Sequence, residues 1–167
     1  METLYGFART ICACDVCRKN CRHLSGMVAP EDLRRWRTHF GAQFAPWAIA
    51  HLAASPGAIV QQHGHTFRIP TIVPAREVSG RCHFLTQRED CLIHAIAPFG
   101  CGWFDHRQSA IEGNLRSARA LADILYDLVT DGPYHRLWDR LACADKVVEA
   151  PEVARLRLAL GAKEEKD

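Results

Sequence analysis

The chain has 167 residues, a length that suits one domain able to bury a real core without disulfide staples. Its 48% hydrophobic and 24% charged residues exclude a disordered or fibrous chain. The 21 basic and 19 acidic residues are scattered to a net charge of +2, which excludes a nucleic-acid face, and no apolar run approaches the roughly 20 residues that span a bilayer, which excludes a membrane helix.

In chain order, the first 25 residues hold four cysteines and few large apolar residues, and read as a loop wrapped around a metal. METLYGFARTICACDVC lacks a basic stretch and a clean apolar stretch before its cysteines, so it does not read as a signal peptide and the expected compartment is the cytoplasm. A helix is predicted over PEDLRRWRTHF: Pro30 sits at its start, Glu31 and Asp32 in its first turn, and Leu33, Trp36 and Phe40 at helical spacing. Arg34, Arg35 and Arg37 then form its solvated face. FAPWAIAHLAA extends the helical pattern until Ser55-Pro56-Gly57 stops it. Two β-branched runs in AIVQQHGHTFRIPTIV flank His63-Gly64-His65 and predict a hairpin.

Residues 78–103 are rich in turns and cysteines, with a short helical turn at Cys91–Ile96 that ends before Pro98. Beyond them Ile111, Leu115, Ala118, Leu121, Ile124, Leu125 and Leu128 recur at three and four, a stripe that buries one helix face. Asp131-Gly132-Pro133 breaks it; two shorter helices follow, one through Leu137 and Leu141 and one from Pro151 to Leu160, before a charged tail expected to fray. The fold class expected is α+β, mainly helical, with cysteine-rich loops around a metal site, a short β-hairpin and a C-terminal helical part. Residues 1–107 form the metal-binding region, and 108–167 a helical part of the same domain.

The eight cysteines carry the chemistry. With no signal peptide expected, clustered thiols point to metal or redox work rather than to disulfides. Thiolates bind zinc at about 2.3 Å and suit iron and iron–sulfur clusters, and such sites gather ligands from separate segments. Cys12, Cys14, Cys17 and Cys21 form one group, in which the Cys14–Cys17 pair has the gap of a zinc knuckle. Cys82, Cys91 and Cys101 form a second, with His94 three residues after Cys91. The candidate metal ligands are therefore Cys14, Cys17, Cys21, Cys82, Cys91 and Cys101, together with Cys12 and His94. Seven thiolates are too many for one ion, since zinc takes four, so two metals or a multinuclear cluster are expected unless about three stay protonated. Cys12 is the first to set aside, because its single-residue spacing to Cys14 strains binding to one ion.

Cys14, Cys17 and Cys21 leading into RHLSGMVAPEDLRRW, then CHFL from Cys82, CLIH from Cys91 and APFGC ending at Cys101, resemble the YkgJ-type cysteine-cluster family of zinc- or iron-chelating domains. The resemblance covers residues 12–104. It departs from the family pattern where an adjacent cysteine pair is spread to Cys17 and Cys21, with Cys12 added; where a tyrosine is His94; and where the arginine before Pro98 is Ala97. It implies metal chelation but no particular reaction, and leaves His94 as a replacement ligand.

Other residues have plainer readings. Cys143 shares a helix with Leu137 and Leu141 and reads as a small buried hydrophobe. His63 and His65 read as exposed turn residues, and His83 and His106 as hydrogen-bond partners of thiolates or as ligands. The four tryptophans read as core or as shielding for the site. No G-x-S-x-G, P-loop, G-x-G-x-x-G or H-E-x-x-H motif is present. Two functions follow. One is a zinc- or iron-binding protein with a structural, storage or delivery role, its partners a metal ion and a protein, with neither nucleic acid nor membrane. The other is an iron or iron–sulfur metalloenzyme, or a subunit of a modifying or redox enzyme.

Overall fold

The computed structural model describes residues 2–10 and 12–164, with side chains as far as Leu160. A tight hairpin of β1 (Thr3–Leu4) and β2 (Phe7–Ala8) comes first, followed by helix α1 (Asp15–His23). The helix corrects the expectation of an irregular loop over the first 25 residues. Cys14, Cys17 and Cys21 are spaced by three and four, the period of a helix face, so the cysteines occupy the stripe that apolar residues ordinarily mark.

Helix α2 (Pro30–Phe40) has the predicted bounds. Its start is fixed by Asp32, whose Oδ2 accepts the Ala29 N–H at 2.8 Å. Helix α3 (Phe44–His51) stops short of the predicted end, because Leu52, Ala53 and Ala54 pair with Pro74, Val73 and Ile72 instead. The three are at most 4% exposed, and burial within a ladder outweighs a local helical pattern. Strands β3 (Leu52–Gln62) and β4 (His65–Pro74) make the predicted antiparallel hairpin, longer than expected, and Ser55-Pro56-Gly57 is a bulge inside β3 rather than a stop. His63 and Gly64, at φ +51° and +78°, form its two-residue turn, where glycine takes the second position without strain.

A short helix α4 (Phe99–Gly102) precedes α5 (Ala110–Val129), α6 (Pro133–Cys143) and α7 (Pro151–Glu164). The charged tail beyond Glu164 lies outside the described residues. The buried stripe of α5 is Arg116, Ala120, Ile124 and Asp127, whereas Ile111 and Leu115 are exposed. Arg116 takes an inward place because its Nη1 donates to Trp103 O at 2.8 Å and Ala8 O at 3.2 Å, tying the amino-terminal hairpin down. Cys143 is exposed, not buried. It follows Leu141 by two residues, which on a helix turns it to the opposite face.

The principal core lies between α2, α3, the long hairpin, α5 and α6, built on Trp36, Leu52, Ile72, Ile124 and Leu141. Tyr134 stitches it: its hydroxyl donates to Val28 O at 2.8 Å and accepts the Ile72 N–H at 2.7 Å. A second cluster packs Leu4 against Phe99 and Trp103, and a third gathers Phe84 and Leu85 around Cys82, with Cys21 and Cys91 at its edge. No described helix is long and apolar enough to cross a membrane.

Candidate metal centre

Helix α1 presents its cysteine face to the loops that follow the hairpin. Cys14 is its N-cap residue and Cys17 lies in its first turn. Four donor atoms, the sulfurs of Cys12, Cys14 and Cys17 and a ring nitrogen of His106, lie within 4.8 Å of one another, a group that can hold a metal ion. The Cys12 sulfur is 3.6 Å from that of Cys14 and 3.7 Å from that of Cys17. His106 Nδ1 stands 3.8, 3.4 and 3.5 Å from the sulfurs of Cys12, Cys14 and Cys17. A tetrahedral zinc with bonds of about 2.3 Å to sulfur and about 2.0 Å to nitrogen needs S···S edges of ~3.8 Å and S···N edges of ~3.6 Å. Five of the group's six edges lie at 3.4 to 3.8 Å and match, and the sixth, between the sulfurs of Cys14 and Cys17, is within 4.8 Å.

Its electrostatics follow from the helix start. The backbone amide of Cys17 facing the Cys14 sulfur holds that thiol below its ordinary value, with help from the Cys12 thiol and the Val16 amide. Desolvation, with the Cys12 and Cys14 sulfurs adding to it, pushes Cys17 up to about 11 against the pull of the His106 amide. Thr10 anchors the segment by donating from Oγ1 to Asp105 Oδ2 at 2.5 Å, which brings residue 10 beside residue 106. The hairpin side is held by the Thr10 N–H donating to Gly102 O at 2.9 Å.

The remaining four candidate cysteines, Cys21, Cys82, Cys91 and Cys101, line a neighbouring cavity of about 210 Å³, whose wall also includes Cys12 and Cys17. Cys17 and Cys21 are one helical turn apart, so a single face of α1 serves both groups. Cys21 joins the second group through its carbonyl, which accepts the Cys82 N–H at 2.7 Å. CHFL and CLIH fold alike: the Leu85 N–H bonds Cys82 O at 3.0 Å, and the His94 N–H bonds Cys91 O at 3.1 Å. In each tight turn the amide two residues on, from Phe84 or Ile93, faces the sulfur and favours its thiolate. Burial works the other way and dominates. It pushes Cys82 up to about 12 and raises Cys21 and Cys91, and it raises Cys101 well above the ordinary thiol, with its three sister sulfurs adding to the shift.

Cys101 reaches this group because the chain after α1 touches α4. The Gly100 N–H donates to Met27 O at 2.9 Å, and a Cβ on Gly26 would sit 2.3 Å from the Gly100 backbone. Asp32 braces the same junction, its Oδ2 accepting the Phe99 N–H at 2.7 Å and its Oδ1 that of Arg35 Nη1 at 2.6 Å. Burial pushes its carboxyl up to about 6.

The structure thus divides the predicted cysteines into two adjacent groups. Cys12, the one sequence spacing counts against, stands beside Cys14 and Cys17, because the extended Cys14 backbone at φ −73° and ψ 169° turns the chain so that both sulfurs point one way. His94 is exposed and lies outside the close group, although it borders the second cavity; its carbonyl instead accepts from Arg9. The histidine brought to the sulfurs is His106, separated from Cys12 by 94 positions. Its one sequence signal is its place beyond the last clustered cysteine. His83 pairs instead with His51, at 3.0 Å between ring nitrogens, and Cys143 stands apart on α6. Comparison with family models, with curated proteins and with solved structures finds no match for this chain.

Proposed function

We propose that this is a metal-binding protein in which Cys12, Cys14, Cys17 and His106 hold one zinc ion and Cys21, Cys82, Cys91 and Cys101 a second metal centre, with a structural, storage or delivery role. The observation that carries the reading is that five of the six donor separations, at 3.4 to 3.8 Å, match the edges of a zinc tetrahedron. Four protein ligands close the ion's coordination, as in structural sites, and leave no position for substrate. The amides facing Cys14, Cys82 and Cys91 supply the outer support that orients thiolate ligands. The likeness of the motif order to YkgJ-type cysteine-cluster domains belongs to the same reading. The same reading expects a reducing compartment, the cytoplasm, where clustered thiols stay available to metal.

A second reading rests on the second cavity. Its four cysteines line about 210 Å³, and among the described residues only the first group brings three or more donors within 4.8 Å of one another. A roomy, cysteine-lined, largely buried chamber suits a cluster of several atoms better than one ion, and makes the protein an iron–sulfur metalloenzyme or a redox subunit. Metal analysis and absorption spectra of protein purified without oxygen test both. The first reading expects colourless protein with zinc, at least one equivalent of which is lost in Cys17→Ser and in His106→Gln. Brown protein, with iron and sulfide surviving those two substitutions and lost in Cys91→Ser, favours the second. Folded protein free of metal, whose melting a chelator leaves unchanged, overturns both.

A further inference from the structure

Arg76 follows β4 into the interior and is the least satisfied cation among the described residues. Its side chain is 4% exposed, yet neither terminal guanidinium nitrogen has a hydrogen-bond partner. The nearest carboxylate oxygen, Glu149 Oε1, is 3.9 Å from Nη1 and is already paired with Arg157. A buried guanidinium with open donors is costly, and such costs are retained where a ligand supplies the missing acceptors. Arg76 lines a cavity of about 460 Å³, within the usual size of small-molecule sites.

We propose that this cavity binds a small monocarboxylate with an apolar body, its carboxylate held by the terminal nitrogens of Arg76. Ser25 fixes the arginine from behind: its hydroxyl donates to Pro74 O at 3.1 Å and accepts from Arg76 Nε at 3.4 Å. Nε is thereby engaged and the planar fork is left for a two-oxygen acceptor, the geometry in which arginine takes a carboxylate. Met27, Ile59, Val73, Phe104 and Leu121 give the cavity an apolar wall, beside the polar Thr71, Asn114 and Ser117. The apolar part of the wall suits a ligand with a hydrocarbon body, which a free phosphate lacks. The acid at the cavity edge, Glu152, is engaged by Arg68, and Arg155 beside it adds positive charge. No cysteine lines the cavity, although Arg76 pairs with Cys82 in an isolated antiparallel bridge, so the titration is made on protein with its metal in place.

Titration of the full, metal-loaded chain with hexanoate, followed by calorimetry and by melting temperature, tests the assignment beside hexanol, acetate and inorganic phosphate. Hexanoate is expected to bind one to one, with hexanol, acetate and phosphate at least tenfold weaker. Arg76→Met should abolish the binding. Ile59→Trp, at a residue 49% exposed on the cavity edge, should weaken it at least fivefold while leaving the arginine intact, and decides the matter if Arg76→Met does not fold. No saturation with hexanoate, equal or tighter binding of acetate or phosphate, or unchanged binding in folded Arg76→Met or in Ile59→Trp would overturn the proposal.

Discussion

The two cysteine groups share one helix but live in different media. Cys14 is exposed at a helix start, where backbone amides lower its thiol, whereas burial raises those of Cys82, in an apolar cluster, and of Cys101, beside its sister sulfurs. The first group is geometrically tight; the second is looser and borders a core cluster. Nearness of ligands in sequence therefore sets neither burial nor charge. Which wall each sulfur faces does, because desolvation of a thiolate outweighs the one or two amides that favour it.

On the proposed reading, metal removal should expose the contrast most strongly, since a structural zinc is worth on the order of 10 kcal/mol to the segments it orders. Under a chelator, hydrogen exchange should rise across residues 12–24 and 78–104, while β3, β4, α5 and α6 keep their protection. Uniform loss across all of them would merge the two regions into one metal-dependent unit. Cys82→Ser comes next: it removes a proposed ligand and places a hydroxyl in the third apolar cluster, so melting should fall well below that of Cys14→Ser, whose side chain faces solvent. Equal melting temperatures would erase the distinction drawn between the groups.

The raised thiols then give a pH test. A thiol with a folded pKa above its unfolded value of about 8.5 favours folding below that pH and loses the benefit as pH rises through the folded value. Cys17 is raised to about 11 and Cys82 to about 12, so reduced, metal-free protein should lose stability progressively from about pH 9 to 12. Melting curves at stepped pH measure it, and the slope should shrink in Cys82→Ser; a flat profile over that window would deny the burial of these thiols. Asp32→Ala should cost about 3 kcal/mol by leaving the Ala29 and Phe99 amides and Arg35 unpaired, and should loosen the α4 junction that carries Cys101. Denaturant unfolding measures the cost, and Asp32→Asn should restore part of it. Cys143→Ser should change stability by less than about 0.5 kcal/mol and leave metal content intact, since the residue is exposed and distant in role from both groups.

Helix α2, the long hairpin with its His63-Gly64 turn, and the proline-started helices were legible because each rests on local chemistry: a cap, a break, an alternation. Helix α1 was hidden because its face is drawn in cysteines rather than in leucines, although the spacing of three and four was present. The strand over Leu52–Ala54 was hidden because its partner, Pro74 back to Ile72, lies some 20 residues away. Arg116 is held inward by the carbonyls of Ala8 and Trp103, 108 and 13 positions away, which no local pattern names.

By itself the amino-acid sequence determined that the candidate metal ligands are chiefly thiols, that they come from two segments, and that seven of them exceed the needs of one ion; these depend only on residue type, number and spacing. Only the tertiary structure decided the partition. It set Cys12 with Cys14 and Cys17, brought His106 rather than His94 to them, sent Cys21 to the opposite segment, and left Arg76 buried with open donors. Those outcomes turn on where loops closed over dozens of residues come to rest, and that is fixed by long-range packing at the Gly26–Gly100 contact and around Asp32, which no local pattern records.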